Sequence, residues 1–589
     1  MNRYCWIAFA AAVCVILAHG VLAAEGTQFQ FSLDKAALTS AGVYTPDGLM
    51  VRTLWTLKEL PAGKHTETWD GLDDLGRNLP PGSYEVRVAI GSPAYASMGV
   101  IGNNGIGSSM QSATEDVRVD PASGDIFTAN TWEEAGQDFK RVDANGKYVM
   151  DAKFRARNGV GGAPSGMPES VAIDGDSLYF GIYTLNDEYE KKAGKTPGGQ
   201  IIRKFNKDTG EPVKFTEAPG GYIRVHYPDP DWAIQWGHDT LRSLAVLGNT
   251  LLSVDEKFDR VVKYDKTTGM PLGEFPVKAP RSIAIDAQKR LWIAHDSDKV
   301  TVFDLDGKKL GEVKHPAKQI ECMRLDRQDR LWLADLDARQ IQVYKMESLE
   351  KATLEKTYGQ KPQAGKLAPL DIYTRIRFDV MPDGGFVITQ SPGHGCIMSR
   401  FGPDGTLIWQ QVGLEFCTNG TYDQKQPDLF ISSLLNAYRL TDLAKGDWRF
   451  EGNIGASEQL PGFQSSGNPR IIELGGRKFY YCMNGERVLV LRSDNGMLVP
   501  VTMLGFNSRS WKEDVLGELT SKERAALWFT WHDSNADGTM QVDEVVKQTP
   551  TTRLGGFSTD VDEQGNLLFS NHNTRSVYEM PLVKLDERG

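Results

Sequence analysis

The sequence lacks several features that are typical of particular functional classes of protein. Beyond the amino-terminal segment, no apolar run approaches the roughly 20 residues that span a bilayer, so we expect no membrane span. Basic residues are scattered and outnumbered, 66 Lys and Arg against 77 Asp and Glu, which excludes the basic footprint of a nucleic-acid-binding protein. No Gly-x-Ser-x-Gly elbow and no phosphate-binding loop occurs, and two common enzyme classes are thereby removed.

Cysteine is also scarce, with six in 589 residues. Two of them lie at the amino terminus, and the other four are Cys322, Cys396, Cys417 and Cys482. No CxxC spacing joins these four, so neither a zinc site nor a haem attachment site is indicated. An oxidising compartment would allow one or two disulfides among them, and buried free thiols are an equal alternative.

The amino terminus has the pattern of a secretory signal peptide over residues 1–23. Arg3 is the only charge before Glu25, residues 6–18 are almost continuously apolar, and residues 21–23 are of the kind that precede a signal-peptidase cut. We therefore expect a secreted or periplasmic protein that is cleaved after Ala23. The mature chain is expected to be soluble and monomeric.

Residues 27–92 have the pattern of a small unit of short strands. Apolar residues alternate with polar ones from Phe29 to Leu33, and turn-rich segments follow at 41–48, 61–65, 68–76 and 79–84. This order resembles the immunoglobulin-like repeat of the flagellar hook-scaffold protein FlgD, which implies a β-sandwich that serves as a spacer. Within it, we interpret Trp69 as a core residue and the acidic residues as turn formers, namely Asp70, Asp73 and Asp74.

From about residue 110 the chain repeats one template of strand, Asp, turn and strand. Asp286 and Asp326 hold equivalent places 40 residues apart, which is the length of one four-stranded blade. Each copy has an apolar face that it cannot bury alone, and a radial arrangement buries those faces between neighbours. The eight copies begin near Val117, Ser170, Leu241, Arg281, Cys322, Ile376, Arg470 and Ser558. We predict an all-β fold with a seven- or eight-bladed β-propeller over residues 110–585, interrupted by a helical insertion at 506–552.

The repeats resemble those of the NHL and gluconolactonase-type propeller superfamily. Gluconolactonase-type enzymes hold a catalytic metal with a Glu early in one blade and with an Asn and an Asp from other blades. Glu169 matches the first of these positions, but Arg242 and Arg281 stand where the resemblance requires an Asn-Gly dipeptide. The metal-binding histidines of NHL-type amidating lyases have no counterpart, so the resemblance implies the architecture rather than either activity.

One segment matches a calcium-binding loop at the positions that define it. Residues 533–544 place oxygen-bearing side chains at loop positions 1, 3, 5 and 12, and Gly538 at position 6 allows the sharp turn. Thr520 and Glu523 form a capping box that predicts an entering helix over 521–531, whereas Pro550 stops the exit helix early. We predict a structural Ca2+ site of the EF-hand kind, the alternative being a turn that binds nothing. The predicted ligands are Asp533, Asn535, Asp537, Thr539 through its carbonyl, Gln541 and Glu544.

Charged residues recur at the start of the innermost strand of the repeat. The template aligns arginines in four copies, Arg242, Arg281, Arg375 and Arg470, and glutamates in three others, Glu115, Glu169 and Glu321. If the guanidiniums converge at the ring axis, they suit a carboxylated or sulfated ligand. The alternative, which we favour, is that the arginines pair with the glutamates and tie the blades together.

Two functions remain open from the sequence. The first is a non-catalytic binding or scaffolding protein for an extracytoplasmic glycan, peptide or protein, with the sandwich as a spacer and calcium as a stabiliser. The second is a carbohydrate-active lyase or hydrolase, lactonase-like, that works in the central channel. Carboxylates and histidines meeting at one mouth of the channel would favour the enzyme, whereas charges already paired with each other would favour binding.

Overall fold

A computed structural model shows that the chain is built almost entirely of β-strands, which confirms the predicted all-β class. The chain divides into two compact units, Met1–Gly99 and Val100–Gly589. Within the part of the chain that is described, no helix is long and apolar enough to cross a membrane. The structure describes residues 14–18, 26–91, 101–102, 114–130, 139–152, 166–184, 199–226, 241–362, 368–373, 376–390, 396–413, 420–423, 425–442, 445–455, 469–484, 487–506, 519–520, 523, 527–538, 540–548, 559–571, 575–587 and 589.

The first unit has two antiparallel sheets. Its strands are β1 (Cys14–Ala18), β2 (Thr27–Leu33), β3 (Ala37–Tyr44), β4 (Met50–Leu60), β5 (Gly63–Trp69) and β6 (Tyr84–Ile90). One sheet has the order β1-β6-β3-β4, and the other pairs β2 with β5. Phe29, Val43 and Val88 pack with Trp69 in the core between them. Asp73 accepts hydrogen bonds from the Leu75 and Arg77 amides, which is the turn-forming role expected of it.

Six antiparallel sheets of the second unit are the blades of a propeller. Blade one is β7 (Thr114–Val119), β8 (Ile126–Asn130), β9 (Phe139–Val142) and β10 (Tyr148–Ala152). Blade two is β11 (Gly166–Asp174), β12 (Ser177–Thr184), β13 (Gly199–Asn206), β14 (Pro212–Val213) and β15 (Ile223–His226), with a 3-10 helix at Pro219–Gly221. Blade three is β16 (Ser243–Leu247), β17 (Thr250–Asp255), β18 (Arg260–Asp265) and β19 (Pro271–Pro276).

The other three blades have the same four-stranded, antiparallel order. Blade four is β20 (Pro280–Ile285), β21 (Leu291–His295), β22 (Lys299–Phe303) and β23 (Lys309–Val313). Blade five is β24 (Ile320–Leu325), β25 (Leu331–Asp335), β26 (Gln340–Met346) and β27 (Ala352–Tyr358). Blade six is β28 (Arg377–Val380), β29 (Phe386–Gln390), β30 (Ile397–Phe401) and β31 (Leu407–Val412).

Apolar layers between neighbouring blades close the six sheets into a ring. The innermost strands lie side by side in the order β7, β11, β16, β20, β24 and β28, and β28 returns to β7. At the closure, Val117 and Val142 of blade one pack against Val387 and Met398 of blade six. Each blade between two neighbours therefore buries both faces, which is why second strands such as β21 and β25 are apolar almost throughout.

Three further sheets stack outside the ring. The first is β32 (Gly420–Asp423), β33 (Gln426–Ser432), β34 (Asn436–Asp442) and β35 (Asp447–Asn453). The second is β36 (Arg470–Leu474), β37 (Arg477–Asn484), β38 (Arg487–Asp494), β39 (Met497–Phe506), β40 (Trp528–His532) and β41 (Val545–Gln548). The third is β42 (Thr559–Val561), β43 (Leu567–Asn571) and β44 (Ser576–Met580). Tyr438 packs the first of these sheets against Ile397 and Val412 of blade six.

The described ring has six blades, which differs from the predicted seven or eight. The copy that begins at Arg470 is strand β36, and the copy near Ser558 continues into β42, both in the stacked sheets. The apolar layer between blades six and one closes the ring before these copies begin. A repeat template identifies strands of one pattern but does not say which of them share an axis.

The predicted helix over 521–531 is corrected in its last part, because Trp528–His532 is a strand; residues 507–518, 521, 522 and 524–526 lie outside the described residues. Trp528–His532 and Val545–Gln548 extend a six-stranded sheet, and a 3-10 turn at Val542–Glu544 precedes the second of them. Trp528 faces one apolar core, whereas Phe529 and Trp531 face another. A strand buried on both faces has apolar residues at adjacent positions, and such a spacing also fits the buried side of a helix.

Three of the four cysteines beyond the amino terminus are buried free thiols. They are Cys322, Cys396 and Cys482, and Cys417 lies outside the described residues. Cys322 packs in the layer between blades five and six, and Cys396 packs in the layer that closes the ring. These thiols therefore act as small apolar side chains in the cores.

Candidate functional site

Glu256 links two arginines at the start of the innermost strands of blades three and four. It follows β17 directly, at the edge of the sheet where β16 begins. Its carboxylate accepts hydrogen bonds from the Nε atom of Arg242 at 2.6 Å and from the Nε atom of Arg281 at 3.0 Å. The three side chains are about one-fifth exposed, so they lie at one face of the ring.

The same line of charges continues into blades five and six. The carboxylate of Glu321 lies 4.0 Å from Arg281 and pairs directly with Arg377. The Nε atom of Arg377 also donates a hydrogen bond of 2.7 Å to the carbonyl of Glu115 in blade one. We call the linked residues, Arg242, Glu256, Arg281, Glu321 and Arg377, the mouth cluster.

The mouth cluster keeps the Glu321 carboxylate ionised. Burial alone would raise the pKa of Glu321, but the nearby charges of Arg377, Arg242 and Arg281 lower it below its ordinary value. Burial would lower the pKa of Arg377, but Glu321 and Glu115 raise it. Glu321 and Arg377 therefore hold each other in the charged state and are poor donors or acceptors of protons near neutral pH.

A second set of charges lies deeper, where the innermost strands meet. Arg324 donates to Asp116 at 2.7 Å and lies 3.5 Å from Asp379, and Arg118 lies 3.4 Å from Asp116. Asp379 also accepts the Val119 amide at 2.8 Å. Burial raises the pKa of Asp379 and lowers that of Arg118. We call the four charged residues, Asp116, Arg118, Arg324 and Asp379, the axial cluster.

The predicted ligand-binding residues are brought together only in part. Arg242, Arg281 and Glu321 belong to the mouth cluster. Glu169 is buried beside it, where it accepts hydrogen bonds from the Gln200 amide at 3.2 Å and the Leu241 backbone at 3.3 Å. Arg470 lies outside the ring in β36, half exposed and 3.4 Å from Asp560. Arg375 lies outside the described residues.

The sequence patterns did not predict several members of the two clusters. Arg118, Arg324 and Asp379 lie in innermost strands that each carry two or three charged residues, and charges of both signs among the apolar residues of a predicted strand are a usable signal. The repeat template places Arg375 at the start of the innermost strand of blade six, but the strand begins two residues later, at Arg377. Glu256 sits in a turn, and nothing in its local sequence marks it as the partner of two arginines.

The predicted calcium loop wraps around its own carboxylates. Gly538 has a φ of 71°, a left-handed conformation that glycine adopts without strain. The Asp533 carboxylate accepts the Asp537 amide at 3.1 Å and the Gly538 amide at 3.0 Å. The Glu544 carboxylate, at the other end of the loop, accepts the Ser534 amide at 2.9 Å. The two ends of the loop are therefore already closed on each other.

The charges in this loop repel one another. Burial raises the pKa of Asp533 above its ordinary value, and the negative charges of Glu544 and Asp537 raise it further. Burial would also raise the pKa of Glu544, but hydrogen bonds from Trp531 and Ser534 lower it. Among the described residues, no group of three or more His, Cys, Asp or Glu side chains is placed to hold a metal ion. Thr539 lies outside the described residues.

The amino-terminal unit is similar to a known domain. Residues 20–93 match the family model of the FlgD Ig-like domain, which confirms the predicted resemblance. Over 63 residues the chain is 41% identical to the basal-body rod modification protein FlgD of Salmonella typhimurium (strain LT2) and to that of Salmonella typhi. The match covers 11% of this chain and 25% of each relative, so the chain spans about a quarter of the length of the curated relatives that it matches.

Propellers are among the solved structures similar to this chain. The Cps50 (Swd1) β-propeller domain of Myceliophteria thermophila matches 59% of this chain and 98% of its own, at 11% identity and a TM-score of 0.33. Virginiamycin B lyase from Staphylococcus aureus matches 56% and 93%, at 13% identity and a TM-score of 0.28. Likeness at this level carries no argument about activity, and the propeller assignment rests on the sheets and the layers between them.

Proposed function

We propose that this chain is a non-catalytic, extracytoplasmic protein whose propeller is a rigid platform for binding or scaffolding a glycan, peptide or protein partner. The observation that carries the proposal is the pairing of charges across blades in the mouth and axial clusters. The Glu321 carboxylate, which is held ionised by the arginines around it, is unsuited to acid or base catalysis near neutral pH, and the ion pairs of both clusters tie the blades together. A lyase or hydrolase would instead need an acidic or basic side chain that can exchange a proton with a bound substrate.

An extracytoplasmic location is part of this proposal. Its supports are the signal-peptide pattern of residues 1–23 and the FlgD Ig-like domain that follows it. The sandwich then serves as a spacer in front of the propeller. Amino-terminal sequencing of the exported protein should begin at Ala24, and an uncleaved chain retained in the cytoplasm would overturn the location.

We also propose that the 533–544 loop binds calcium as a structural clip. Its donors are carboxylate and amide oxygens, the ligands that Ca2+ prefers, and the repulsion around Asp533 is of the kind that a cation relieves. The carboxylates of Asp533, Asp537 and Glu544 would have to rearrange to complete the site, because among the described residues no group of three such side chains is placed to hold a metal ion. Because strands rather than helices flank the loop, the ion would tie β40 to β41 and would not operate a helical switch.

The test of function compares wild type with Glu321→Gln on panels of glycans and peptides. We expect wild type to bind at least one ligand class and to release it chemically unchanged, as measured by mass spectrometry. Glu350→Gln, an exposed position in the same blade as Glu321, is the matched control. Shortened or unsaturated products formed by wild type and by the control, but lost in Glu321→Gln, would establish the enzyme instead. If the wild-type protein binds no glycan and no peptide of the panels, the proposal of a binding platform is wrong.

A further inference from the structure

A cleft of about 770 Å³ lies between blade six of the propeller and the first two stacked sheets. Its walls come from β31, from β33 to β35, and from the hairpin that joins β38 to β39. A smaller cavity of about 90 Å³ lies next to it and shares Phe450 and Glu451 as lining residues. The volume is within the range of pockets that hold small ligands.

The charged side chains that line the cleft already form ion pairs. Arg439 pairs with Asp428 at 2.6 Å and with Glu451 at 2.8 Å, and Arg449 pairs with the same Glu451 at 2.7 Å. Lys478 pairs with the buried Asp423. A charged ligand would have to displace one of these partners, so the cleft offers it little net attraction.

Five neutral polar side chains of the cleft are without a hydrogen-bond partner among the described residues. Gln426, Trp448, Tyr480, Ser493 and Asn495 all line it, and none of their side chains hydrogen-bonds to another residue that the structure describes. Together they present an indole N–H, two hydroxyls and two carboxamides, which are both donors and acceptors. This set can recognise a ligand that carries many neutral donors and acceptors of its own.

Two aromatic rings in the cleft are fixed in place. Trp448 and Phe450 are alternate residues of the outermost strand β35, and both are partly exposed. The buried ring of Tyr438 lies behind them, with its centroid 5.5 Å from that of Trp448 and 5.6 Å from that of Phe450. Rigid aromatic faces beside polar groups suit a ligand with both apolar C–H faces and polar edges.

We propose that this cleft binds an uncharged oligosaccharide segment, with Trp448 as the stacking platform and Gln426 and Asn495 as hydrogen-bonding partners. The inference rests on the proposed function and names the ligand class that the binding protein takes. A saccharide supplies hydroxyl groups for the uncommitted amides and C–H faces for the aromatic rings. A uronic acid or sulfated sugar would instead need an unpaired cation, and the arginines and lysine of the cleft are paired.

The test is an array of neutral and anionic glycans probed with the whole mature protein, followed by calorimetry on the best neutral hit. Trp448→Ala removes the platform and should weaken binding at least tenfold, whereas Trp448→Phe retains a ring and should weaken it less. Tyr422→Ala is the matched control, because Tyr422 is an exposed aromatic residue of the same sheet that does not line the cleft. Thermal unfolding checks that each variant is folded.

The outcomes separate this inference from the broader proposal. Neutral-glycan binding that is lost in Trp448→Ala and kept in Tyr422→Ala supports the cleft. Three results would contradict the cleft proposal but not the proposal of a binding protein. They are binding to anionic glycans only, binding to neutral glycans that Trp448→Ala leaves unchanged, and binding to a peptide but to no glycan. If wild type binds no glycan and no peptide, both proposals fail.

Discussion

Arg324 in blade five donates a hydrogen bond of 2.7 Å to Asp116 in blade one, although blade six stands between these two blades in the ring. Both side chains are almost fully buried. Arg118 of blade one likewise donates to Ser243 of blade three at 3.0 Å. The axial cluster therefore connects blades that are not neighbours, and the centre of the ring is held by charges as well as by apolar layers.

Arg324→Met should destabilise the propeller by roughly 3–5 kcal/mol, because it removes the Arg324 guanidinium from the buried carboxylates of Asp116 and Asp379 and leaves only Arg118 beside Asp116. Lys309→Met is the control, since the Lys309 pair with Glu312 is about half exposed and should be worth less than about 1 kcal/mol. Urea unfolding measures both. Equal midpoints for the two variants would contradict the structural role of the axial cluster.

Glu321→Gln should destabilise the protein most near neutral pH. The folded-state pKa of Glu321 is lowered, so the stability that it contributes is present above its ordinary value of 4.5 and is lost as the pH falls through the folded value. The difference in melting temperature between wild type and Glu321→Gln should therefore shrink below about pH 4.5. A difference that stays constant from neutral to acid pH would show that the charge of Glu321 is not what stabilises the ring.

Terbium should bind the 533–544 loop and luminesce when Trp531 is excited. The indole N–H of Trp531 donates to Glu544 at 2.9 Å, which places the sensitising ring against a predicted ligand. Glu544→Gln should weaken the signal at least tenfold, whereas Asp543→Asn, at an exposed neighbouring position, should leave it unchanged. Calcium should compete with terbium and raise the melting temperature of wild type. If wild type shows no terbium luminescence, the proposal that this loop binds a metal ion is wrong.

At least three thiols should become reactive towards Ellman's reagent only after unfolding. Cys322, Cys396 and Cys482 are buried and free, and burial raises the pKa of Cys482 to about 12, so little thiolate forms at pH 8. The native protein and the protein in guanidinium chloride, both without reductant, are compared. If fewer than three thiols react after unfolding, some of these cysteines form disulfides, which would contradict the prediction that all three are free.

The sequence allowed the blades to be recognised one at a time. In blades four and five, Asp286 and Asp326 accept hydrogen bonds from Trp292 and Trp332, at 2.8 and 3.0 Å, so the same local contact recurs with the repeat. Such contacts join residues six positions apart, and their pattern is visible in a short window. The calcium-loop spacing was visible for the same reason. The flanking strands were not, because a strand buried on both faces lacks a simple period.

What the sequence alone determined about this protein is local: short strands, the turns that end them, a repeat of about 40 residues and an immunoglobulin-like unit at the amino-terminal end. The tertiary structure decided that six repeats close a ring, that Arg324 reaches Asp116, and that the cleft beside Trp448 forms between blade six and the stacked sheets. These features join residues far apart in the chain. Their geometry follows from how the apolar faces pack in three dimensions, and no spacing in the sequence records it.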